Sequence, residues 1–164
     1  MNRFLKLSLP AVAGLLVSAV APHARAESAS TNFTVTATVK RTCLIGAAAI
    51  TLTDYDAVAG TGGTGTGSVT VQCTKNLPYT IKLNRGANAG TDSTVTNRFM
   101  LNGTETLRYE LKDSSNALIG ETAFVDTKSA GKAETAYTIS AAIAAGQDPS
   151  IGTYVDTVSA TVEF

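Results

Sequence analysis

Two cysteines, Cys43 and Cys73, are the residues whose type and spacing carry the clearest chemistry in this 164-residue chain. They are its only cysteines, and an even pair in an exported chain predicts a disulfide. The bond would close a loop of about 30 residues, which chain-entropy reasoning converts into roughly 3–4 kcal/mol of stabilisation. Two separate buried thiols, or a metal site built on two isolated cysteines, are the alternatives.

Catalytic chemistry has few candidate residues. The only histidine, His23, lies in an N-terminal segment that we interpret below as cleaved. A mature chain without histidine cannot use Ser-His-Asp or Cys-His catalysis and lacks the commonest metal ligand. Asp54 and Asp56 flank Tyr55 and could ligate calcium, but a calcium loop needs more oxygens at fixed spacing. The run GTGGTGTG at 60–67 lacks the Lys-Ser/Thr ending of a phosphate-binding loop. We expect no enzyme activity and no cofactor.

Residues 1–26 have the features of a secretory signal peptide. Arg3 and Lys6 form a positive n-region, an apolar stretch follows, and residues 24–26 read Ala-Arg-Ala, a cleavage site of the A-x-A type. The apolar stretch is too short and too interrupted by polar residues, glycine and proline for a stable membrane span. We therefore predict export through the periplasm, with an uncleaved anchor as the alternative.

The mature chain would hold 164 minus 26, or 138, residues, which suits one domain with a real core. The whole chain has 13 basic and 13 acidic residues, and removal of Arg3, Lys6 and Arg25 leaves 10 against 13, a formal charge of −3. No basic patch stands out, so we expect no nucleic-acid partner.

Alternation of apolar and polar residues dominates the mature region, and no helical period persists. We predict about seven or eight short strands joined by Gly/Asn/Asp turns, as in a β-sandwich. Residues 53–67, which are rich in glycine, are predicted to form a flexible loop. The segments with strand periodicity are 31–40, 47–52, 68–73, 79–83, 98–102, 107–111, 136–143 and 154–164.

Two of these strands have positions that suggest a role. The segment 31–40, TNFTVTATVK, begins a few residues after the signal peptide. As a strand it would have threonines on one face and an apolar opposite face formed by Phe33, Val35, Ala37 and Val39. Such a strand can pair within its own domain or with the open sheet edge of another chain. The last strand ends at Phe164, and one of its faces carries Tyr154, Val158, Ala160, Val162 and Phe164.

Taken in order, five stretches of the chain resemble the spore coat protein U domain family, which includes the pilins of archaic chaperone–usher pili. The stretches are FTVTATVKRTC, SVTVQCTKNLPYTIKLNRGAN, NRFML, LRYELK and IGTYVDTVSATVEF. The match covers nearly all of the mature chain. One departure is Leu52-Thr53-Asp54-Tyr55, where relatives often have Phe-Gly-x-Tyr. We expect a local loop difference there and the same fold.

The resemblance implies an all-β, incomplete immunoglobulin-like sandwich (residues 41–164) that lacks one strand and is completed by donor-strand exchange. A periplasmic chaperone would fill the groove first, contacting the C-terminal strand and its carboxylate. Residues 27–40 of the next subunit would then replace the chaperone at an outer-membrane usher, with Phe33, Val35, Ala37 and Val39 as the inserted side chains.

The implied product is a polymer of this chain or of neighbouring pilins, displayed as an extracellular adhesive pilus or on the cell surface. Two alternatives stay open on the residues alone. One is a spore or cell-surface coat protein, and the other is a secreted monomeric β-sandwich that binds a small molecule or a sugar.

Overall fold

The computed structural model describes residues 25–88 and 97–164, so the predicted signal peptide lies outside the described residues except for its last two positions. The chain divides into two units, Met1–Ala37 and Thr38–Phe164. In the first unit, residues 25–37 form neither helix nor strand. Across the described residues, no helix has the length and apolarity that a membrane crossing requires.

The second unit contains eight strands and, over its described residues, no helix. Because the apolar residues alternate with polar ones, each strand can bury one face and leave the other in water. This arrangement confirms the predicted all-β class. The strands are β1 (Cys43–Ala48), β2 (Thr64–Cys73), β3 (Pro78–Leu83), β4 (Arg98–Asn102), β5 (Glu105–Lys112), β6 (Val125–Lys128), β7 (Thr135–Ile143) and β8 (Ala160–Glu163).

Two antiparallel sheets form the sandwich. One has five strands in the order β1-β2-β7-β5-β4, and the other has three in the order β6-β3-β8. In the first sheet Cys43 of β1 lies opposite Cys73 of β2, and the two residues form a disulfide. The predicted disulfide is therefore confirmed, and it fastens β1 at the edge of its sheet.

The core lies between the inner faces of the two sheets. The alternate residues of β2 and β3 that the sequence pattern indicates are all buried, and β5 and β7 contribute in the same way. Most of these buried side chains are aliphatic, and the β-branched valines and isoleucines among them favour strands because they pack well on a pleated surface. The buried apolar residues of these four strands are Val69, Val71, Cys73, Tyr79, Ile81, Leu83, Leu107, Tyr109, Leu111, Ile139, Ala141 and Ile143.

The expected loop at 53–67 is wrong in its last four residues, because β2 already begins at Thr64. The reason is close packing. A Cβ atom on Gly65 would collide with the carbonyl oxygen of Thr51, and one on Gly67 would lie 2.6 Å from Cγ1 of Ile50. These glycines therefore allow the preceding segment to cross the face of β2, and they do not mark flexibility.

The bounds of three other elements differ from the expectation. The first strand of the sandwich is Cys43–Ala48, earlier than the predicted 47–52. The sequence gives little sign of β6, since VDTK holds one apolar residue. The last predicted strand is regular only at Ala160–Glu163, because Val155 forms a bridge with Leu101 of the other sheet. The terminal segment thus passes from one sheet to the other.

Candidate functional site

An open groove of about 1310 Å³ lies in the second unit. Its floor consists of inward side chains from the five-stranded sheet, and its two walls are the segments 47–58 and 149–158. The floor side chains are Val69, Met100, Leu107, Ile139, Ala141 and Ile143. A groove with this apolar floor offers burial to further apolar side chains.

The first wall is held against the sandwich by backbone and tyrosine contacts. The N–H of Thr53 donates to the carbonyl of Thr64 at 2.8 Å. The Tyr55 hydroxyl donates to the carbonyl of Gln147 at 2.7 Å and accepts the Gln147 N–H at 2.8 Å. Although this loop departs from the residues that relatives often show, Tyr55 fastens it to the turn just before the second wall.

The second wall is the segment that leads to β8. The side chain of Gln147 accepts the backbone N–H of Arg108 at 2.8 Å and donates to its carbonyl at 2.9 Å, as a neighbouring strand would. Further along, Val155 exchanges two backbone hydrogen bonds of 3.0 Å with Leu101. The Tyr154 hydroxyl closes the turn by donating to Ser150 at 2.8 Å.

A buried polar cluster fixes the middle of this wall. The carboxylate of Asp156 accepts the Tyr109 hydroxyl at 2.6 Å and the backbone N–H of Ala87 at 3.0 Å. Burial, followed by the hydrogen bond to Asp156, raises the pKa of Tyr109. Close by, position 86 requires glycine, because a Cβ atom there would collide with the Asp156 carboxylate.

Arg98 completes the cluster from β4. Its side chain is fully buried and donates to the carbonyls of Asn84 at 3.1 Å and Ile119 at 2.7 Å. Burial lowers the pKa of this guanidinium, while the charges of Tyr109 and Asp156 act in the opposite direction. Sequence reasoning missed this role. The available signal was an arginine at an inward position of a predicted strand, in phase with Met100.

Within the described residues, the edges of β1 and β8 that border the groove have no strand partner, because β1 pairs there only with β2 and β8 only with β3. Asn84 and Ala87 donate to the carbonyls of Ser159 and Thr157 on the β3 side. Because successive residues of a strand direct their backbone groups to opposite sides, those of Val158 point to the other edge. The described residues supply no backbone partner to Val158.

The predicted site residues lie in both units. In the first unit, the side chains of Phe33 and Val35 are 86% and 82% exposed, and Ala37 is exposed as well. Val39, in the second unit, is also exposed. Four residues of the predicted C-terminal face are half-buried and pack against the core, whereas Phe164 is exposed. The four are Tyr154, Val158, Ala160 and Val162. The roles assigned to all these residues stay predictions.

The two aspartates weighed as calcium ligands have local contacts instead. Oδ1 of Asp56 accepts the backbone N–H groups of Val58 at 2.9 Å and Ala59 at 2.8 Å, which caps a turn. The described residues contain no group of three or more His, Cys, Asp or Glu side chains that could hold a metal ion.

Comparison with known proteins gives a family match and a structural likeness. Residues 29–161 match the model of the Spore Coat Protein U domain. No curated protein matches the chain. The fold is similar to that in the crystal structure of the CsuC-CsuE chaperone-tip adhesion subunit pre-assembly complex from archaic chaperone-usher Csu pili of Acinetobacter baumannii.

That likeness has a TM-score of 0.56 and 24% sequence identity, and it covers 77% of this chain and 41% of the matched chain. The chain thus spans about two fifths of the length of its match. At this identity the likeness concerns the fold, and it confirms the predicted immunoglobulin-like sandwich.

Proposed function

Because the chain belongs to the Spore Coat Protein U domain family, we propose that it is a structural subunit of an extracellular pilus that serves adhesion and biofilm formation. Its subunits polymerise by donor-strand complementation, in which residues 27–40 of one copy fill the groove of the next. The role is structural and involves no catalytic step. The observation that carries the proposal is the apolar groove bordered by the unpaired edges of β1 and β8.

An inserted strand would satisfy both requirements of the groove at once. Its backbone groups would pair with the free edges, and its alternate side chains would cover the apolar floor. The segment 31–40 supplies Phe33, Val35 and Val39 as large side chains, with the smaller Ala37 between them. Burial of each large side chain contributes about 1.5–3 kcal/mol, which offsets the cost of ordering the segment at least in part.

The proposed partners follow from the cost of an empty groove. An unpaired, apolar sheet edge favours aggregation, so a subunit needs cover before it meets its neighbour. A periplasmic chaperone provides that cover and contacts the C-terminal residues Tyr154, Val158, Ala160, Val162 and Phe164. An outer-membrane usher then exchanges the chaperone for the next subunit. The matched crystal structure is itself named a chaperone–subunit pre-assembly complex, which supports this order of events.

The test places one charge on either face of the donor segment. Val35→Asp puts a carboxylate into the groove, so polymers should be absent while the chaperone-bound subunit still accumulates. Thr36→Asp adds the same charge on the opposite face of the strand and should leave polymer yield near that of the unaltered chain. Oligomer ladders on unheated gels give the readout. Normal polymer yield from Val35→Asp would refute donor-strand insertion.

A surface-coat protein is the second candidate, and the family's own description favours it. Such a protein would be recovered from the envelope of dormant cells and would have no need of strand exchange. Immunolabelling of growing and dormant cells separates the two functions, since a pilus subunit gives fibres on growing cells.

A further inference from the structure

Charged residues are segregated between two concave surfaces of the second unit. Three charged residues line the groove, and all are aspartates: Asp54, Asp56 and Asp156. A smaller hollow of about 610 Å³ lies around residues 39–41 and 74–78. Its charged residues are all basic: Lys40, Arg41 and Lys75. Each surface therefore carries one sign of charge.

The two surfaces lie at opposite ends of the ladder between β1 and β2. This ladder begins at the pair Cys43–Cys73, next to the basic hollow. The pairing continues to Ala48–Ser68, and the bond from Thr53 to Thr64 extends it toward the aspartates. We call the loops around Asp54 and Asp148 the acidic mouth of the groove, because the Tyr55–Gln147 hydrogen bonds hold these loops together.

The charges at both ends are available for an external partner. Lys40, Arg41 and Lys75 are exposed, as are Asp54, Asp56 and Asp148. None of the six forms an ion pair within the described residues. Each end also presents apolar surface. Val58 and Ile151 are fully exposed at the acidic mouth, and Val39 and Pro78 are exposed at the basic hollow.

We propose that the basic hollow of one copy docks on the acidic mouth of the next copy, as a second contact beside the inserted strand. The inference rests on the proposed polymer. Lys40 directly follows Val39, the last inserted residue, so the hollow must arrive at an end of the neighbour's groove. A donor strand that runs antiparallel to β8, and therefore parallel to β1, places Val39 where the terminal segment begins, which is the acidic mouth.

Unlike charges at opposite ends give a head-to-tail contact that repeats along a filament. A donor strand in the reverse direction would bring the hollow to the other end of the groove, away from the carboxylates. The contact therefore selects one direction of insertion as well as adding attraction. Its partner is a second copy of this chain, recognised through the surface that already borders its groove.

The experiment measures subunit release from polymers of the full chain, by light scattering at a fixed elevated temperature. Sodium chloride is varied from about 0.01 M to about 1 M, over which the screening length falls from about 30 Å to about 3 Å. The charge of the basic hollow is reversed with Lys40→Glu and Arg41→Glu, and the charge of the acidic mouth with Asp54→Lys and Asp148→Lys. Asp56 is left intact because it caps its turn. Asp126→Lys is the control, because this exposed carboxylate of β6 lines neither of the two surfaces.

Reversal of either end should speed release roughly tenfold at low salt and little at high salt, because several surface ion pairs together are worth about 1–1.4 kcal/mol. Reversal of both ends in one chain should restore release to within about threefold of the unaltered polymer, whereas the control variant should leave release unchanged. Release that ignores salt, or a double reversal no better than either single one, overturns this inference and leaves the proposed pilus standing. Absence of any polymer from the unaltered chain would overturn both.

Discussion

At the scale of single residues, the second wall of the groove depends on Asp156. Its carboxylate ties the terminal segment to Tyr109 of β5 and to the backbone at Ala87, so one side chain joins three parts of the fold. Arg98 lies beside it in the same buried region. Such a cluster stabilises only when every member is satisfied, because an unpaired buried charge costs several kcal/mol.

Tyr109→Phe should lower the free energy of unfolding by about 1.5–3 kcal/mol, since it removes a buried hydrogen bond to a carboxylate. Tyr154→Phe is the matched control, because its hydroxyl bonds an exposed carbonyl and should cost less. Urea unfolding followed by circular dichroism gives both values. Equal losses for the two variants would contradict the importance assigned to the cluster.

Stability should also fall at alkaline pH. Burial, then the hydrogen bond to Tyr79, raises the pKa of Tyr137 from 10.0 to about 12. The folded chain thus holds this proton more tightly than the unfolded chain, so the stabilising contribution is complete below pH 10 and is lost as pH rises toward 12. Urea midpoints across this window should drop, and Tyr137→Phe should make the drop shallower. Parallel curves for the two proteins would contradict the assignment.

At the scale of elements, β1 and the segment after it form the first wall. The disulfide fastens β1 to β2 at one end, and the segment 48–51 then crosses the glycines of β2 at the other. The side chain of Ile45 is 40% exposed although its inward-facing partner Val71 is buried, so the inner face of β1 is only partly covered. The wall is therefore held by β2 alone and is open to an incoming strand.

Gly65→Ala should destabilise the chain by about 1–3 kcal/mol, because the added methyl group collides with the backbone of Thr51 and the wall must shift. Gly131→Ala is the control, since a Cβ there meets nothing within 4 Å. Thermal unfolding of the two variants provides the comparison. If both glycines tolerate alanine equally, the close crossing is not a constraint on folding.

At the scale of the whole molecule, fifteen of the described residues are buried apolar core residues, and yet an open groove remains along one side. In this described part of the chain, folding alone leaves two strand edges unpaired at the groove. Since both backbone groups and apolar floor would gain from a further strand, the free energy of folding and that of assembly are linked.

Filling the groove within one chain should raise its thermal stability. The variant lacks residues 27–40 at its start and carries residues 30–40 through a flexible linker after Phe164. It should remain monomeric and melt cooperatively well above the chain that merely lacks 27–40, because the linked strand binds at high effective concentration. A third variant, with the linked segment carrying Val35→Asp, should lose the gain. Similar melts for all three would mean that the sandwich is complete without a donor.

Much of the fold could be predicted from the residues because strand alternation is local. The segment 98–102 is a strand with the predicted bounds, and the inward faces of β2 and β3 are the predicted ones. Where contacts between distant segments decide the structure, local alternation gave the wrong prediction. Gly65 and Gly67 suggested flexibility, yet they belong to β2 because another segment crosses them.

The sequence by itself determined the strand periodicity, the pairing of the only two cysteines and the family, since each depends on residue types and their order. The tertiary structure decided where the groove lies, which edges stay unpaired and how Arg98, Tyr109 and Asp156 meet. It also placed the basic and acidic residues at opposite ends of one ladder. These properties depend on which strands become neighbours, and that choice is made by the packing of the whole core, not by any local pattern.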